Sequence, residues 1–331
     1  MSLRARLATG VAGAVVAVMA LAACSSGGSS STAAASGASS SNPTSITVGT
    51  SGATGVYLPL YVGVQTGLFQ KYGLDVKVQT LTPSAVTAAT LSDNVNIGGD
   101  GPGLVSGILS NPSAKVFATF GPTVFYLYAK KGITSVQQLK GQTVAVTTPG
   151  GAIDGAVRAA ITKAGLKPGV DVKIAYLQTN SAALAAVETG SVQGAGVSPP
   201  TSIQATQAGL SKVEDITPLA PPSVLAVNSQ WVSANKSALT KFITAFKAAV
   251  KLSASNEADS AAALKKYVQL TDQSQISGTW SDYKSVWNVG PYPTGEMQTL
   301  LQQLATANPP AKGASTAKIS SIIDNQYITA S

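Results

Sequence analysis

Residues 59–80 read PLYVGVQTGLFQKYGLDVKVQT, and this stretch decides the fold. Leu60, Val64 and Leu68 recur at helical spacing, so one helix with one apolar stripe is expected, stopped at Gly73. Leu74, Val76 and Val78 then alternate with polar residues, the period of a strand with one buried face. Helix, glycine turn, strand is half of an α/β unit. Upstream, SITVGT (45–50) alternates as a first strand. Downstream, SAVTAATLSD (84–93) reads as a helix, NVNIGG (94–99) as a strand, PGLVSGILS (102–110) as a helix and AKVFATF (114–120) as a strand. Strand and helix in alternation predict a parallel sheet covered on both faces.

The pattern restarts after VFYLYAKKG (124–132). SVQQLKG (135–141) is a short helix, QTVAVTT (142–148) a strand and GGAIDGAVRAAITKAG (150–165) a helix. DVKIAYLQ (171–178), SAALAAVETG (181–190), SVQGAGVS (191–198) and PPTSIQATQAG (199–209) continue as strand, helix, strand, helix. Two such runs predict two similar domains. TPLAPPSVLAVNSQW (217–231) then crosses back with prolines, and mostly helix follows. In KSALTKFITAFKAAVKL (236–252), Leu239, Phe242, Ile243, Phe246 and Ala249 form one stripe.

Three of these segments carry a family resemblance. Gly67-Leu68-Phe69 followed by Tyr72-Gly73-Leu74-Asp75-Val76 resembles the opening of the extracytoplasmic solute-binding proteins of ABC importers, in the group that takes sulfonates, nitrate, taurine and thiamine precursors. SVQQLKGQTVAV (135–146) resembles the start of that family's second domain, and ALAAVETGSVQGAGVSPP (183–200) the segment before its return crossing. The chain departs from the family where a Gly-x-Val-Asp turn is usual: Asn94-Val95-Asn96 and Gly190-Ser191-Val192-Gln193 put an amide in place of the carboxylate. The resemblance implies an α/β, two-lobed, periplasmic-binding-protein-like (type II) clamshell. Two mainly parallel sheets flanked by helices would be joined by two crossings, with a helical C-terminal part. Lobe 1 would combine residues 45–123 and 222–331, and lobe 2 would span 124–221. Closure on a ligand is the motion expected of such a hinge.

The N-terminus reads as an export segment. Arg4 and Arg6 precede an uncharged apolar run from Leu7 to Ala23, and Leu21-Ala22-Ala23-Cys24 resembles the lipobox of bacterial lipoproteins. Residues 1–23 are therefore expected to be a signal peptide and Cys24 the lipid attachment point. Residues 24–44, rich in Ser, Gly and Ala, lack the large apolar groups that offset ordering entropy, and a disordered tether with a reach of roughly 25 Å is expected. The protein would then sit on the outer face of the cell membrane.

Composition excludes whole classes of chemistry. The 331 residues contain no histidine and one cysteine, Cys24. Zinc sites, Ser-His-Asp catalysis, thiol nucleophiles and a disulfide framework are thereby disfavoured, so no metal, no cofactor and no enzyme activity are expected. Relatives that make a thiamine pyrimidine precursor consume histidine, which this chain lacks. The formal charge of +8 falls to about +6 without Arg4 and Arg6, with lysines scattered singly, so no nucleic-acid partner is expected.

Ligands of open α/β sheets sit at the carboxyl ends of the strands. That rule picks Ser51, Gly52, Thr54, Gly55 and Tyr57 after the first strand, with Asp100 and Gly101 after NIGG. At the crossing it picks Thr123; in the second domain it picks Gly150, Gly151 and Asp154 at a helix start, and Ser198. Glycines there serve tight turns as readily as ligand, Asp100 suits a helix cap, and Asp154 with Arg158 suits a local pair. Tyr126 and Tyr128 are further candidates for stacking on a ligand ring. The expected function is capture of a small polar solute, first an organic anion such as an alkylsulfonate, and delivery to ABC permease transmembrane subunits by a monomer. The alternatives are a neutral or aromatic heterocycle such as a pyrimidine thiamine precursor, a lipoprotein that presents ligand to a membrane sensor, or an adhesion module.

Overall fold

The computed structural model describes residues 43–307 and 309–329. The expected signal peptide, Cys24 and the tether through residue 42 lie outside the described residues. The first sheet starts with β1 (Thr44–Ser51), whose Ile46, Val48 and Thr50 are buried. A 3-10 turn (Gly55–Tyr57) leads to α1 (Leu58–Gln65) and α2 (Leu68–Lys71), then β2 (Leu74–Leu81) and α3 (Pro83–Leu91). β3 (Ile97–Asp100), α4 (Pro102–Ser110) and β4 (Ala114–Thr119) follow.

The single helix expected over 58–73 is two. Gly67 turns left-handed at φ 67°, and the Thr66 hydroxyl donates to the Val62 carbonyl at 2.8 Å, which closes α1 one turn early. Nor is there one stripe: every residue from Leu58 to Gly63 is buried, because α1 lies between the sheet and a later helix. Gly63 permits this, since a methyl there would stand 2.5 Å from the Phe69 ring and 3.2 Å from Ala249.

The second sheet is built from β5 (Tyr126–Ala129), β6 (Thr143–Val146), β7 (Lys173–Tyr176), β8 (Gly194–Val197) and β9 (Ser211–Asp215). Between them lie α5 (Ala152–Lys163), α6 (Asn180–Glu188) and α7 (Thr201–Gln207). The chain returns through β10 (Val224–Asn228) to the first sheet. It ends in α8 (Ser229–Ser255), α9 (Glu257–Ala263), a π-helical turn (Leu264–Val268), α10 (Gln273–Tyr283), α11 (Thr294–Thr306) and α12 (Gln326–Thr329). Leu239, Phe242, Ile243, Phe246 and Ala249 of α8 are all buried, as their spacing predicts.

The strand orders are β2-β1-β3-β10-β4 and β7-β6-β8-β5-β9, the same arrangement twice. The sheets are mixed rather than parallel throughout. β10 and β5 each run antiparallel to both neighbours, and each is the first strand after a crossing. Each sheet buries residues on both faces, forming four separate apolar clusters. The two amide-for-carboxylate turns do one job. Asn96 Oδ1 accepts the Thr47 N–H at 2.9 Å, and Gln193 Oε1 accepts the Thr143 N–H at 3.2 Å. An amide carbonyl satisfies a neighbouring strand as well as a carboxylate does, without a charge to desolvate. Among the described residues no helix is long and apolar enough to cross a membrane.

Candidate functional site

A cleft of about 790 Å³ opens between the two lobes where the strands of both sheets end. Across the mouth of the gap the starts of α4 and α5 come close: a methyl on Gly101 would stand 3.5 Å from Cβ of Ala152. The helices α3, α4, α5 and α6 all begin at the cleft wall, each with its N-terminal turn toward the gap. The floor is made by the two crossings, where Thr123 Oγ1 and Ser223 Oγ are 2.7 Å apart and the Ser223 N–H donates to the Gly121 carbonyl at 3.2 Å.

Of the residues expected from sequence, Ser51, Gly52, Thr54, Tyr57, Asp100 and Gly101 line the first wall. Thr123 lies on the floor, and Gly151 and Ser198 line the opposite wall. Gly55, Gly150 and Asp154 do not reach the cleft, each for a packing or bonding reason. A methyl at Gly55 would meet the Tyr283 ring at 2.6 Å. The Gly150 N–H is spent on Asp154 Oδ2 at 2.8 Å. Asp154 is buried, and its other oxygen accepts from Arg158 Nε at 2.7 Å. Arg158 also donates to the Tyr176 hydroxyl at 2.8 Å, so the one arginine among the described residues is occupied away from the cleft. Tyr126 and Tyr128 are not stacking platforms either. Lys212 sits 3.6 Å over the Tyr126 ring, and the Tyr128 hydroxyl pairs with Thr206 at 2.7 Å.

The wall carries no lysine or arginine among the described residues; its charged groups are Asp100 and Asp272. The Tyr57 hydroxyl donates to the Gly99 carbonyl at 2.8 Å and lies 2.6 Å from Ser51 Oγ. Burial, and then the neighbouring Asp100, push the Tyr57 phenol far up, so it stays neutral. Asp100 hydrogen-bonds Ser51 and the Gly101 N–H. Burial outweighs both bonds and pushes its carboxyl up from 3.8 to about 6. Asp272 stands at the rim and caps α10, accepting from the Gln275 N–H at 2.9 Å. Hydrogen bonds from Ser274 and the Gln275 N–H hold its carboxyl below the ordinary value. No cluster of three or more His, Cys, Asp or Glu that could hold a metal exists among the described residues.

The sequence reading missed Thr147 and Thr148 after β6 and Gln178 and Asn180 after β7, which also line the cleft. The strand-end rule applied to those two strands finds them. It does not find the third wall, Val268 to Gln275, which arrives from the helical C-terminal region. There α10 meets α7 of the other lobe: Gln204 donates to Gln275 at 3.2 Å, and Gln207 Nε2 donates to Ser274 Oγ at 2.7 Å.

The model of the family described as NMT1/THI5 like matches residues 55–259, more than half of the chain. No curated protein sequence matches. Among solved structures, the periplasmic aliphatic sulphonate binding protein SsuA from Escherichia coli is 19% identical with a TM-score of 0.73, over 86% of this chain and 99% of that one. The periplasmic nitrate-binding protein NrtA from Synechocystis PCC 6803 is 14% identical with a TM-score of 0.73, over 86% of this chain and 87% of that one. The alkanesulfonate-binding protein SsuA from Xanthomonas axonopodis pv. citri, bound to MOPS, is 16% identical with a TM-score of 0.68, over 80% and 92%. These likenesses establish the two-lobed fold.

Proposed function

The chain belongs to the NMT1/THI5-like family, and from that premise we propose that it is an extracytoplasmic solute-binding protein that captures a small polar solute and hands it to an ABC import permease without chemical change. The observation that carries this reading is the cleft itself. It is of ligand size, lies between two lobes joined by two crossings, and is lined largely by hydroxyls and amides. Lobe 1 is taken as residues 45–123 with 222–331, and lobe 2 as 124–221. The nine expected residues that line the gap, from Ser51 to Ser198, are the proposed contacts. Cys24 as acyl anchor belongs to the same proposal and rests on the residues around it.

The wall favours a neutral, heterocyclic or amide-bearing solute over an anion. No lysine or arginine of the wall is placed to neutralise an anion. Asp100, its carboxyl pushed up to about 6, would have to take up a proton beside one, at a cost of about 1.4 kcal/mol near pH 7. The anion reading is kept as the second, since four helices start at the cleft and the sulfonate and nitrate binders named above share the fold. A thermal-shift titration with cytosine, 4-aminopyrimidine, ethanesulfonate and nitrate separates them, because a ligand raises the melting temperature in proportion to the logarithm of its concentration above Kd. Cytosine or 4-aminopyrimidine alone should raise it. A shift from ethanesulfonate or nitrate alone reverses the choice, and no shift from any probe removes the solute-binding reading.

A further inference from the structure

Three residues other than glycine have positive φ among the described residues: Asp93 at 60°, Gln178 at 65° and Gln269 at 60°. Asp93 follows α3, and aspartate tolerates left-handed backbone because its short side chain bonds locally; Asp93 Oδ1 indeed accepts from Asn96 at 3.2 Å. Glutamine has no such local bond, and its left-handed conformation costs free energy that glycine would not.

Both glutamines line the cleft, on opposite lobes. Gln178 follows β7, where its N–H donates to the Thr147 carbonyl at 2.9 Å and fixes the strained turn. Gln269 closes the π-helical turn Leu264–Val268 as its left-handed C-cap. Both residues are exposed and line the gap, and neither carboxamide hydrogen-bonds to another of the described residues. The caps and turns would be cheaper with glycine or asparagine. The left-handed turns close backbone hydrogen bonds that glycine or asparagine would close as well, so the choice of glutamine has no return among the described residues, and strained residues with free polar heads facing a cleft mark a binding role.

We propose that Gln178 and Gln269 are a matched pair of solute-reading amides, one per lobe, each held in left-handed backbone so that its carboxamide meets the solute when the lobes close. The inference rests on the solute-binding reading above. A carboxamide offers donors and an acceptor side by side, so the pair suits a neutral solute with a donor and an acceptor on each of two edges.

The test compares the full-length protein with Gln178→Gly, Gln269→Gly and Gln178→Asn, using cytosine as probe and ethanesulfonate as the control. Without probe, both glycine variants should melt about 1–3 °C higher, because the strain is relieved. Cytosine affinity should fall by about 5- to 20-fold in each, the loss of one neutral hydrogen-bonding group. The asparagine variant, which tolerates the backbone and keeps a shorter amide, should melt higher while retaining part of the affinity. A lowered melting temperature in both glycine variants overturns the proposal whatever binds. So does an unchanged cytosine affinity. Wild-type protein that binds ethanesulfonate and not cytosine overturns the pair as a reader of neutral solutes while leaving solute binding intact. Wild-type protein that binds neither removes both readings.

Discussion

At Asp154 one carboxylate holds two parts of the second lobe together, the Gly150 N–H at 2.8 Å and Arg158 Nε at 2.7 Å. Asp154→Ala would leave a backbone donor and a guanidinium without their acceptor, a loss of about 2–3 kcal/mol. Denaturant unfolding should register that loss, and Asp154→Asn should lose less because it still accepts one bond. Asp100 differs, since burial raises its carboxyl to about 6 in the folded chain from 3.8. The folded state therefore holds the proton more tightly than the unfolded state. This stabilising contribution is complete below about 3.8 and is lost as pH rises through about 6. The titratable group packed against it is Tyr57, which stays neutral throughout. Melting curves of ligand-free protein from pH 4 to 7 should thus fall more steeply for wild type than for Asp100→Asn; parallel curves would refute the assignment. Residues such as Asp100 and Ser198 were legible in the sequence because strand ends can be counted. Asp154 was legible as a partner of Arg158 but not as a residue removed from the cleft, since its burial depends on how α5 packs on the sheet.

Among elements, α10 is the one that links the lobes outside the crossings. Its N-terminal turn is bonded to Gln204 and Gln207 of α7, and a methyl at Gly278 would stand 2.8 Å from Ile203 Cδ1. Its other end stacks Tyr283 on Trp287 at 5.9 Å, and the Trp287 indole donates to the Gly55 carbonyl at 3.3 Å. Gly278→Val should force α10 from α7 and destabilise by about 1–3 kcal/mol. A lower denaturation midpoint together with a larger radius of gyration in solution scattering would check it; Gly295→Ala, with nothing within 4 Å of its added methyl, is the control. Neither this contact nor the two antiparallel strands is visible in sequence. β10, VLAVN, is buried at every position, so it lacks the alternation that marks a half-exposed strand, and prolines precede it. α1 has the same ambiguity: Leu60, Val64 and Leu68 do pack on the core, but so does every residue from Leu58 to Gly63, so the stripe does not mark off an exposed face there. α8 was legible because one face meets solvent.

The whole molecule repeats one design twice, and the repeat explains where the cleft must be. In both sheets the strands that follow the family's alternation run one way, and the strand delivered by each crossing runs against them. Each antiparallel strand carries a register shift, at Leu225/Ala226 and at Leu127/Tyr128. The carboxyl ends of both sheets are thereby turned toward the same gap, and the two crossings run along its floor at Thr123 and Ser223. Rotation about these crossings would alter the gap at the expense of the α10–α7 bonds and of Tyr126 packed on the first sheet's cluster, while the other three apolar clusters each lie within one lobe. Lobe closure should then be separable from lobe stability, and Ala152 is the place to test it. Its Cβ marks the near contact between the starts of α5 and α4 across the gap, so Ala152→Trp inserts an indole between the two walls. The substitution should leave the ligand-free melting temperature within about 2 °C, since Ala152 is only half-buried at a helix start that lines the gap. It should also widen the molecule in solution scattering and abolish the melting increment that cytosine gives wild type, because the two walls can no longer meet around the solute. An undiminished increment would mean that binding does not require the walls to converge, and the hinge account would fall with it.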